Sequence, residues 1–471
     1  MSSALHFALE RAMAFRLKKG MPSTDLSEPI PSSAPDLFSN DYLSMASNPQ
    51  LRRDFLEKLM DSPSLFGSRG SRLLAGNTPE HMALENRLQQ YFQTPAALLF
   101  NSGYDANVAF FGSVPQEGDA IIFDELVHAS CRDGMAASRA RKALHPFAHN
   151  SVASFERTLK QVLAECPQIT ARKATLFVSV ESLYSMDGDF CPLPEMLRLL
   201  DQYVPRGCYH VAVDEAHSTG IFGPGGRGFV AELGLQNRVH TVIHTFGKAR
   251  GLTGAVIATS AVVRRYLIQY ARPLIFSTSL PHINLIALEA SFDIVEGPLG
   301  DQLRERLHDL SAYFRKLLVE LTETVPKSLI SLPGSHITPD PLISTTPIFP
   351  ILTSQPIALA TFFQKHGYSA QPIPYPAVPR GQERIRVVVH SGNSEQQLCD
   401  FVTLLRQWAS SPEIASLGAN HGPVSVPERL KREDSIVEEK PVSSVASTGQ
   451  RLASVWFSWI TSFLWVPVKR Y

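Results

Sequence analysis

The residues of this chain best placed to do chemistry are a lysine and an acidic cluster upstream of it. Lys248 follows the β-branched run 241–245 in the order Thr-Phe-Gly-Lys, which predicts a strand that enters a tight loop and holds the ammonium in a fixed place. Asp214 and His217 follow a short apolar run that begins at Val211. Open α/β sheets bind ligands at the carboxyl ends of their strands. The pattern therefore predicts a reactive lysine beside a carboxylate and an imidazole.

These side chains are the parts that pyridoxal-phosphate chemistry requires. A lysine forms a Schiff base with the aldehyde of the cofactor, and the ring then acts as an electron sink. A carboxylate beside the pyridine nitrogen keeps that nitrogen protonated, because an opposite charge favours the protonated form. The sequence therefore predicts pyridoxal 5'-phosphate as the cofactor, with Lys248 and Asp214 as its principal partners.

Three segments carry a family resemblance. Residues 214–220 read Asp-Glu-Ala-His-Ser-Thr-Gly, residues 245–249 read Thr-Phe-Gly-Lys-Ala, and residues 101–104 read Asn-Ser-Gly-Tyr. Together they resemble the α-oxoamine synthase family of fold-type I pyridoxal-phosphate enzymes, which includes 8-amino-7-oxononanoate synthase and belongs with the class II aminotransferases. The likeness extends from about Asn40 to about Val402, so it covers most of the chain.

The resemblance implies an activity and a fold. It implies a transferase that condenses an amino acid with an acyl thioester, either acyl-coenzyme A or a carrier-bound acyl chain, with loss of carbon dioxide. It also implies a large domain with a mostly parallel seven-stranded sheet, a smaller α+β C-terminal domain, and a homodimer with shared active sites. Two alternatives stay open: an aminotransferase on the same fold, and a non-catalytic partner subunit.

The resemblance also implies roles for individual residues. Lys248 holds the cofactor, Asp214 faces the ring nitrogen, His217 bonds the phenolic oxygen and His128 stacks on the ring. Further cofactor or phosphate contacts are implied for Gly103, Tyr104, Ser185 and Thr245, and Thr278 is implied to reach the phosphate of the neighbouring subunit.

Two further positions are predicted to handle substrate. Asn40 lies in an Asn-Asp-Tyr-Leu segment that, in similar proteins, lines the substrate entrance. Arg386 is our choice for the amino-acid carboxylate, because a guanidinium offers a bidentate fork. Arg384 is the second choice.

Two patterns match other protein classes by letters alone. Residues 214–217 match a helicase box, and residues 223–228 match Gly-x-Gly-x-x-Gly. A nucleotide-driven motor also needs a Gly-x4-Gly-Lys-Ser/Thr loop, which does not occur, and the glycine pattern does not open a helix directly after a strand. Pro224 favours a turn there.

Composition excludes several classes of function. The chain has 471 residues, with 44 basic and 44 acidic side chains and a formal net charge of zero, so nucleic acid is not an expected partner. Its 5 cysteines lie too far apart for a zinc site, so we expect no metal and reduced thiols in an intracellular, cytoplasmic protein.

An apolar run, a polar end and a helical stretch recur along the chain, which predicts an α/β fold with a doubly wound sheet. Strands are predicted at 96–100, 120–123, 175–180, 211–213, 241–245, 255–259, 346–352 and 383–390, with one long charged helix over 290–325. The predicted segments are an N-terminal segment 1–55, a cofactor domain 56–290, a small domain 291–410, a disordered linker 411–449 and a Trp-rich tail 450–471.

The two ends of the chain each allow two interpretations. Residues 1–20 are basic, which is typical of a mitochondrial presequence or of an amphipathic first helix packed on the domain, and we expect the helix. Residues 452–468 carry no charge and contain three tryptophans. That length is short for a spanning helix, which needs about 20 residues. We expect either contact with a membrane surface or docking on protein.

Overall fold

A computed structural model describes residues 3–18, 35–337, 345–375, 378–411 and 414. Residues 1–426 cluster as one compact unit, and a second unit, 427–471, lies outside the described residues. The predicted linker 411–449 lies almost wholly outside them, and so does the whole tail 450–471. The predicted boundaries inside the compact unit stay predictions.

The strands of the described chain follow one another with helices between them. They are β1 Ala96–Phe100, β2 Ala120–Asp124, β3 Leu144–Phe147, β4 Leu176–Glu181, β5 Tyr209–Asp214, β6 Thr241–Thr245, β7 Ala255–Thr259, β8 Ile348–Leu352, β9 Pro372–Ile373 and β10 Arg384–Val388. The helices are α1 Ala4–Lys18, α2 Pro49–Asp61, α3 Pro79–Tyr91, α4 Gly103–Ser113, α5 Ala129–Ala137, α6 Val152–Glu165, α7 Pro167–Thr170, α8 Leu193–Tyr203, α9 Phe229–Glu232, α10 Ala261–Tyr270, α11 Arg272–Phe276, α12 His282–Glu296, α13 Pro298–Thr324, α14 Gly334–Ile337, α15 Pro356–Lys365 and α16 Glu395–Ser410.

The central sheet has seven strands in the order β1-β7-β6-β5-β4-β2-β3, which confirms the predicted α/β class. Strands β3, β2, β4, β5 and β6 are mutually parallel, while β7 runs antiparallel between β6 and β1. Every residue of β1, β4 and β7 is buried, because helices cover both faces of such a sheet. The carboxyl ends of five neighbouring strands therefore meet at one edge.

The sequence pattern located every strand of the central sheet except β3. This edge strand reads Leu-His-Pro-Phe, and three of its four residues are partly or fully exposed. Proline cannot donate to a ladder, and an edge strand needs no continuous apolar run. The apolar periodicity on which strand prediction depends is therefore missing there.

The three-stranded antiparallel sheet β8-β10-β9 forms the smaller layer. It packs with α13, α15 and α16 through a core that includes Phe314, Phe363 and Phe401. The predicted single helix over 290–325 is wrong, because α12 ends at Glu296 and α13 begins at Pro298. Proline has no N–H for a continuing helix but suits the first position of a new one.

The glycine-rich stretch 223–228 is a structural turn. Gly228 has φ +106°, and a Cβ built on it would lie 1.5 Å from Oε2 of Glu215. Glu215 is fully buried, and its Oε1 accepts the backbone N–H of Val230 at 2.6 Å. The glycines therefore let the turn close over a buried carboxyl, as the prediction of a turn required.

Helix α1 forms as predicted, but the expected packing against the domain is wrong. Each of its described side chains is exposed, including Phe7 at 66% and Phe15 at 57%. Apolar residues stand at every second position in much of this helix, so they point around the axis and form no single packing face. Within the described residues, no helix is both long and apolar enough to cross a membrane.

Candidate active site

The candidate site lies at the carboxyl edge of β4, β5 and β6. Glu181 ends β4 and Asp214 ends β5, and the two are paired neighbours in the sheet. Lys248 lies in the loop that follows β6, and His217 lies in the turn that follows β5. Parallel strands thus bring residues that are distant in sequence to one place, as predicted for Lys248, Asp214 and His217.

A chain of hydrogen bonds runs through the centre of the site. Lys248 Nζ lies 2.8 Å from His217 Nε2. On the other side of the imidazole, Nδ1 lies 2.5 Å from the hydroxyl of Tyr42. Tyr42 is 0% exposed and His217 5% exposed, so water does not compete for these bonds.

The electrostatics of the site keep Lys248 reactive. Burial lowers the pKa of Lys248 to about 8, although the carboxylates of Asp214 and Glu181 act in the opposite direction. Burial, followed by repulsion from Asp214, raises the pKa of Glu181 well above its usual range. A lysine with a pKa near 8 is partly neutral near physiological pH, and only the neutral amine is a nucleophile.

Asp214 is held by donors from two elements. Its Oδ2 accepts from Asn107 Nδ2 at 2.7 Å, and its Oδ1 accepts the backbone N–H of Ala216 at 2.9 Å. The same Asn107 amide also donates to Ser130 Oγ at 3.0 Å. These bonds fix a carboxylate that is only 7% exposed.

The beginning of α4 lies beside the lysine loop. Ser102 caps this helix by accepting the N–H of Asp105. A Cβ on Gly103 would lie 3.2 Å from both Cβ and Oγ1 of Thr245, which is a tight contact, so glycine favours the close approach of the helix start to β6. The start of a helix has free N–H groups and the positive end of the helix dipole, so the start of α4 at Gly103 suits a phosphate.

Two rings flank this position. His128 is exposed, and its Nδ1 is 2.7 Å from Ser130 Oγ. The ring of Tyr104 meets the ring of His128 edge to face at 6.4 Å and is 47% exposed. Both side chains therefore present faces to solvent, as a stacking partner for a planar ring requires.

Arg386 joins the smaller sheet to the site. It lies on β10, is 6% exposed, and donates through Nε to the carbonyl of Ser185 at 2.5 Å and through Nη2 to Asn40 Oδ1 at 2.9 Å. Arg384 is 1% exposed and is committed to Met186 and Asp187 in the same loop. Arg386 contacts Asn40, which lies in the predicted substrate entrance, so the geometry favours Arg386 over Arg384 for substrate. Ser185 enters the site through its carbonyl.

Thr278 is the predicted residue that stands apart. Its side chain is exposed, while its carbonyl accepts from Asn101 Nδ2 at 2.8 Å, just before Gly103. The segment is fixed beside the start of α4, and the hydroxyl is accessible to another molecule.

Three site residues were missed by sequence reasoning. Tyr42 lies in the same short segment as Asn40, and Asn107 follows Gly103 by one helical turn. Glu181 is the last residue of a predicted strand beside the Asp214 strand. The last two could have been found by placing polar residues on the predicted elements, whereas the Tyr42 contact required the tertiary structure.

This set of side chains and backbone groups fits pyridoxal phosphate. The amine of Lys248 matches its aldehyde, the fixed carboxylate of Asp214 matches its ring nitrogen, and the start of α4 at Gly103 matches its phosphate. Within the described chain, no group of three or more His, Cys, Asp and Glu is placed to hold a metal ion.

A buried ion cluster fixes the loop that Arg386 contacts. His149, after β3, lies 2.9 Å from Asp124 at the end of β2 and 3.0 Å from Asp189, which follows β4. Burial alone would lower the pKa of His149, but the bonds to Asp124 and Asp189 outweigh burial and raise it to about 10. The imidazolium therefore ties the loop that contains Ser185 to the edge of the sheet.

The chain matches one family model and many curated proteins. The model described as aminotransferase class I and II matches residues 35–404. An 8-amino-7-oxononanoate synthase of Emericella nidulans is 40% identical over 386 residues, which are 82% of this chain and 91% of the relative. The chain belongs to the aminotransferase class I and II family.

Two further proteins show how broad this family is. An aminoacyl transferase, sphA, of Aspergillus fumigatus is 36% identical over 78% of this chain and 80% of its own length. A solved structure of serine palmitoyltransferase with pyridoxal phosphate has a TM-score of 0.74 and 24% identity to this chain. The match covers 88% of this chain and 100% of that one and shows a likeness of fold. The predicted fold, enzyme class and cofactor are confirmed: this is a pyridoxal-phosphate transferase of the α-oxoamine synthase type.

The His149 cluster predicts a pH-dependent loss of stability. The variant His149→Gln leaves the buried Asp124 and the partly buried Asp189 without their cation, so the free energy of unfolding near neutral pH should fall by about 3–5 kcal/mol. The folded-state pKa of about 10 lies above the ordinary 6.5, so the stabilisation is complete below pH 6.5 and is lost as pH rises to about 10.

Urea unfolding at several pH values measures this effect. The difference between the wild type and His149→Gln should shrink steadily from pH 6.5 to about 10. The matched control is His145→Gln, a half-buried histidine on β3, which should change stability by about 0.5 kcal/mol or less. A difference that does not change with pH would contradict the charged cluster.

Proposed function

We propose that this enzyme condenses an amino acid with an acyl thioester and releases carbon dioxide to give an α-oxoamine. The observation that carries the proposal is the group of Lys248, Asp214 and His217 at one sheet edge, with Arg386 bonded to Asn40 beside it. An amine, a fixed carboxylate and a buried guanidinium are what an amino-acid substrate and the cofactor require together. The names of the relatives support the same class of reaction.

Each residue has a task that follows from its position. The fork of Arg386 binds the carboxylate of the amino acid and so orients the bond that will break. The neutral amine of Lys248 is placed to remove the proton from the substrate Cα, and Asp214 keeps a proton on the ring nitrogen. When bound, pyridoxal phosphate supplies an electron sink for the charge that develops at Cα.

The reaction balances without a further reactant. A carbon–carbon bond forms between the amino-acid Cα and the acyl carbon, and the carbon–sulfur bond of the thioester breaks. The thiol leaves with a proton, the bond from Cα to the carboxylate breaks, and a proton replaces carbon dioxide. No oxidant or reductant is consumed.

The same balance names a first substrate pair to test. In 8-amino-7-oxononanoate, the product named for the Emericella nidulans relative, the amino-bearing carbon and its methyl group correspond to alanine after decarboxylation. The remaining seven carbons correspond to a dicarboxylic acyl thioester. Long-chain acyl thioesters and other small amino acids complete the panel.

The test is product stoichiometry in the purified enzyme and in Asp214→Asn. One thiol and one carbon dioxide should appear per amino acid consumed, and Asp214→Asn should lower kcat by about 10²- to 10³-fold while retaining cofactor. The control Asp119→Asn changes a buried carboxyl at the opposite end of β2 and should leave kcat unchanged. Transfer of the amino group without carbon dioxide release would favour an aminotransferase instead.

We infer that two copies of the chain complete each other's sites through Thr278. Its hydroxyl is exposed, and the neighbouring surface carries large apolar side chains on two segments that are bonded to each other: Phe66 at 76% exposed, Leu74 at 77% and Phe276 at 65%. The backbone of residues 65–70 is hydrogen-bonded to residues 279–283. Exposed apolar surface of this kind is typical of a protein interface.

Subunit mixing tests the shared site. Heterodimers of Lys248→Ala with Thr278→Ala should have one site with both lesions and one intact site, provided that Thr278 serves the partner. Thr278→Ala alone should weaken pyridoxal-phosphate binding by roughly 10- to 100-fold, because it removes one hydrogen bond to a charged acceptor.

The readout is cofactor affinity in the purified heterodimer. Half of the sites should bind with wild-type affinity. If no wild-type site appears, Thr278 serves its own chain and the shared-site inference fails.

A further inference from the structure

We propose that Tyr42 is a positioning residue that fixes the tautomer of His217 and thereby favours the neutral amine form of Lys248. Its hydroxyl meets His217 Nδ1 at 2.5 Å, and the other ring nitrogen meets Lys248 Nζ at 2.8 Å. This inference rests on the proposed role of Lys248 as the reacting amine.

The imidazole of His217 is neutral. Burial, followed by the charges of Lys248, Arg386 and His128, lowers the pKa of His217 well below its usual range. A neutral imidazole has one N–H donor and one acceptor nitrogen, and the partner of one nitrogen decides the role of the other.

The direction of the Tyr42 bond decides the tautomer. Burial raises the pKa of Tyr42 to about 12, opposed by the charge and hydrogen bond of Arg386, so the phenol keeps its proton. Among the described residues, His217 Nδ1 is the only acceptor within hydrogen-bond distance of the Tyr42 hydroxyl, so the buried O–H group donates to it. The imidazole proton then lies on Nε2.

An Nε2–H group requires an acceptor at Lys248. A neutral amine has a lone pair that accepts this bond, whereas an ammonium has donors only. Protonation of Lys248 would reverse both bonds and leave the Tyr42 O–H without its acceptor in a fully buried place. The network therefore favours the neutral lysine beyond the effect of burial alone.

The Tyr42 segment is fixed independently of the site. Asp41 accepts the backbone N–H groups of Met45 at 2.8 Å and Ala46 at 3.0 Å, and the Tyr42 carbonyl accepts from Ser391 N at 2.8 Å. These bonds fix the backbone around Tyr42 and do not involve its hydroxyl, so Tyr42→Phe removes one oxygen without releasing the segment.

The experiment is the pH profile of Lys248 acylation in the full-length protein, measured by competitive labelling with acetic anhydride and mass spectrometry after removal of cofactor. Tyr42→Phe should raise the midpoint of Lys248 reactivity by about 0.5 to 1 pH unit. The other charged groups that face Lys248 and His217 stay in place in this variant, namely Asp214, Glu181, Arg386 and His128. An unchanged or lowered midpoint would overturn the proposal.

Two controls separate this role from general packing. Tyr203→Phe removes a hydroxyl that bonds Glu156 at 2.8 Å, far from the site, and should leave the midpoint unchanged. In a His217→Gln background, Tyr42→Phe should cause no further shift, and a full shift there would show that Tyr42 does not act through His217. If Tyr42→Phe does not fold, His217→Gln alone should raise the midpoint, because an amide can donate to the amine or accept from the ammonium and so does not favour the neutral form. An unchanged midpoint would count against the network.

Labelling of the amine does not depend on which reaction the enzyme performs. A shifted midpoint in an enzyme that fails to release carbon dioxide would leave this inference standing and remove the proposed function. Normal condensation with an unshifted midpoint would leave the proposed function standing and overturn the inference about Tyr42.

Discussion

The site depends on one constraint, which is that an amine must stay reactive while it is enclosed beside the acidic side chains of Asp214 and Glu181. Opposite charges favour the ammonium form of Lys248, and burial disfavours it. Burial is the larger effect, so the pKa falls to about 8. A site with the same carboxylates and more water would hold a permanently charged lysine that could not act as a nucleophile.

The sheet satisfies this constraint by its register. Glu181 and Asp214 are paired across β4 and β5, and Asp214 is paired with Ile243 on β6, shortly before the lysine loop. A shift of one residue would turn these side chains to the other face. The loop that contains Ser185 lies on the side of the site where the substrate is expected. His149 links this loop to the central sheet, and Arg386 of the smaller sheet donates a hydrogen bond to the carbonyl of Ser185.

The sequence pattern was sufficient where local rules decide the structure. Buried apolar runs located six of the seven central strands, and the polar residues after them proved to lie at one edge. The pattern failed where the cause is not local. Tyr42 contacts a histidine 175 positions away, β3 has no apolar periodicity, and the helix predicted over 290–325 was broken by the Gly297–Pro298 pair.

The family resemblance supplied what periodicity cannot, namely the class of reaction and the roles of individual residues. It carried over residue by residue only where motifs matched, so it named Asn40 but not Tyr42, two positions later in the same segment. The glycine pattern at 223–228 shows that a motif match without its structural context is misleading. Its glycines close a turn over Glu215.

The most direct test of the central claim is to identify the lysine that captures the cofactor. Pyridoxal phosphate bound to the full-length protein is reduced with borohydride, and the labelled peptide is mapped by mass spectrometry. We expect one label per chain, on Lys248. A label on any other lysine, with Lys248 unmodified, would contradict the account.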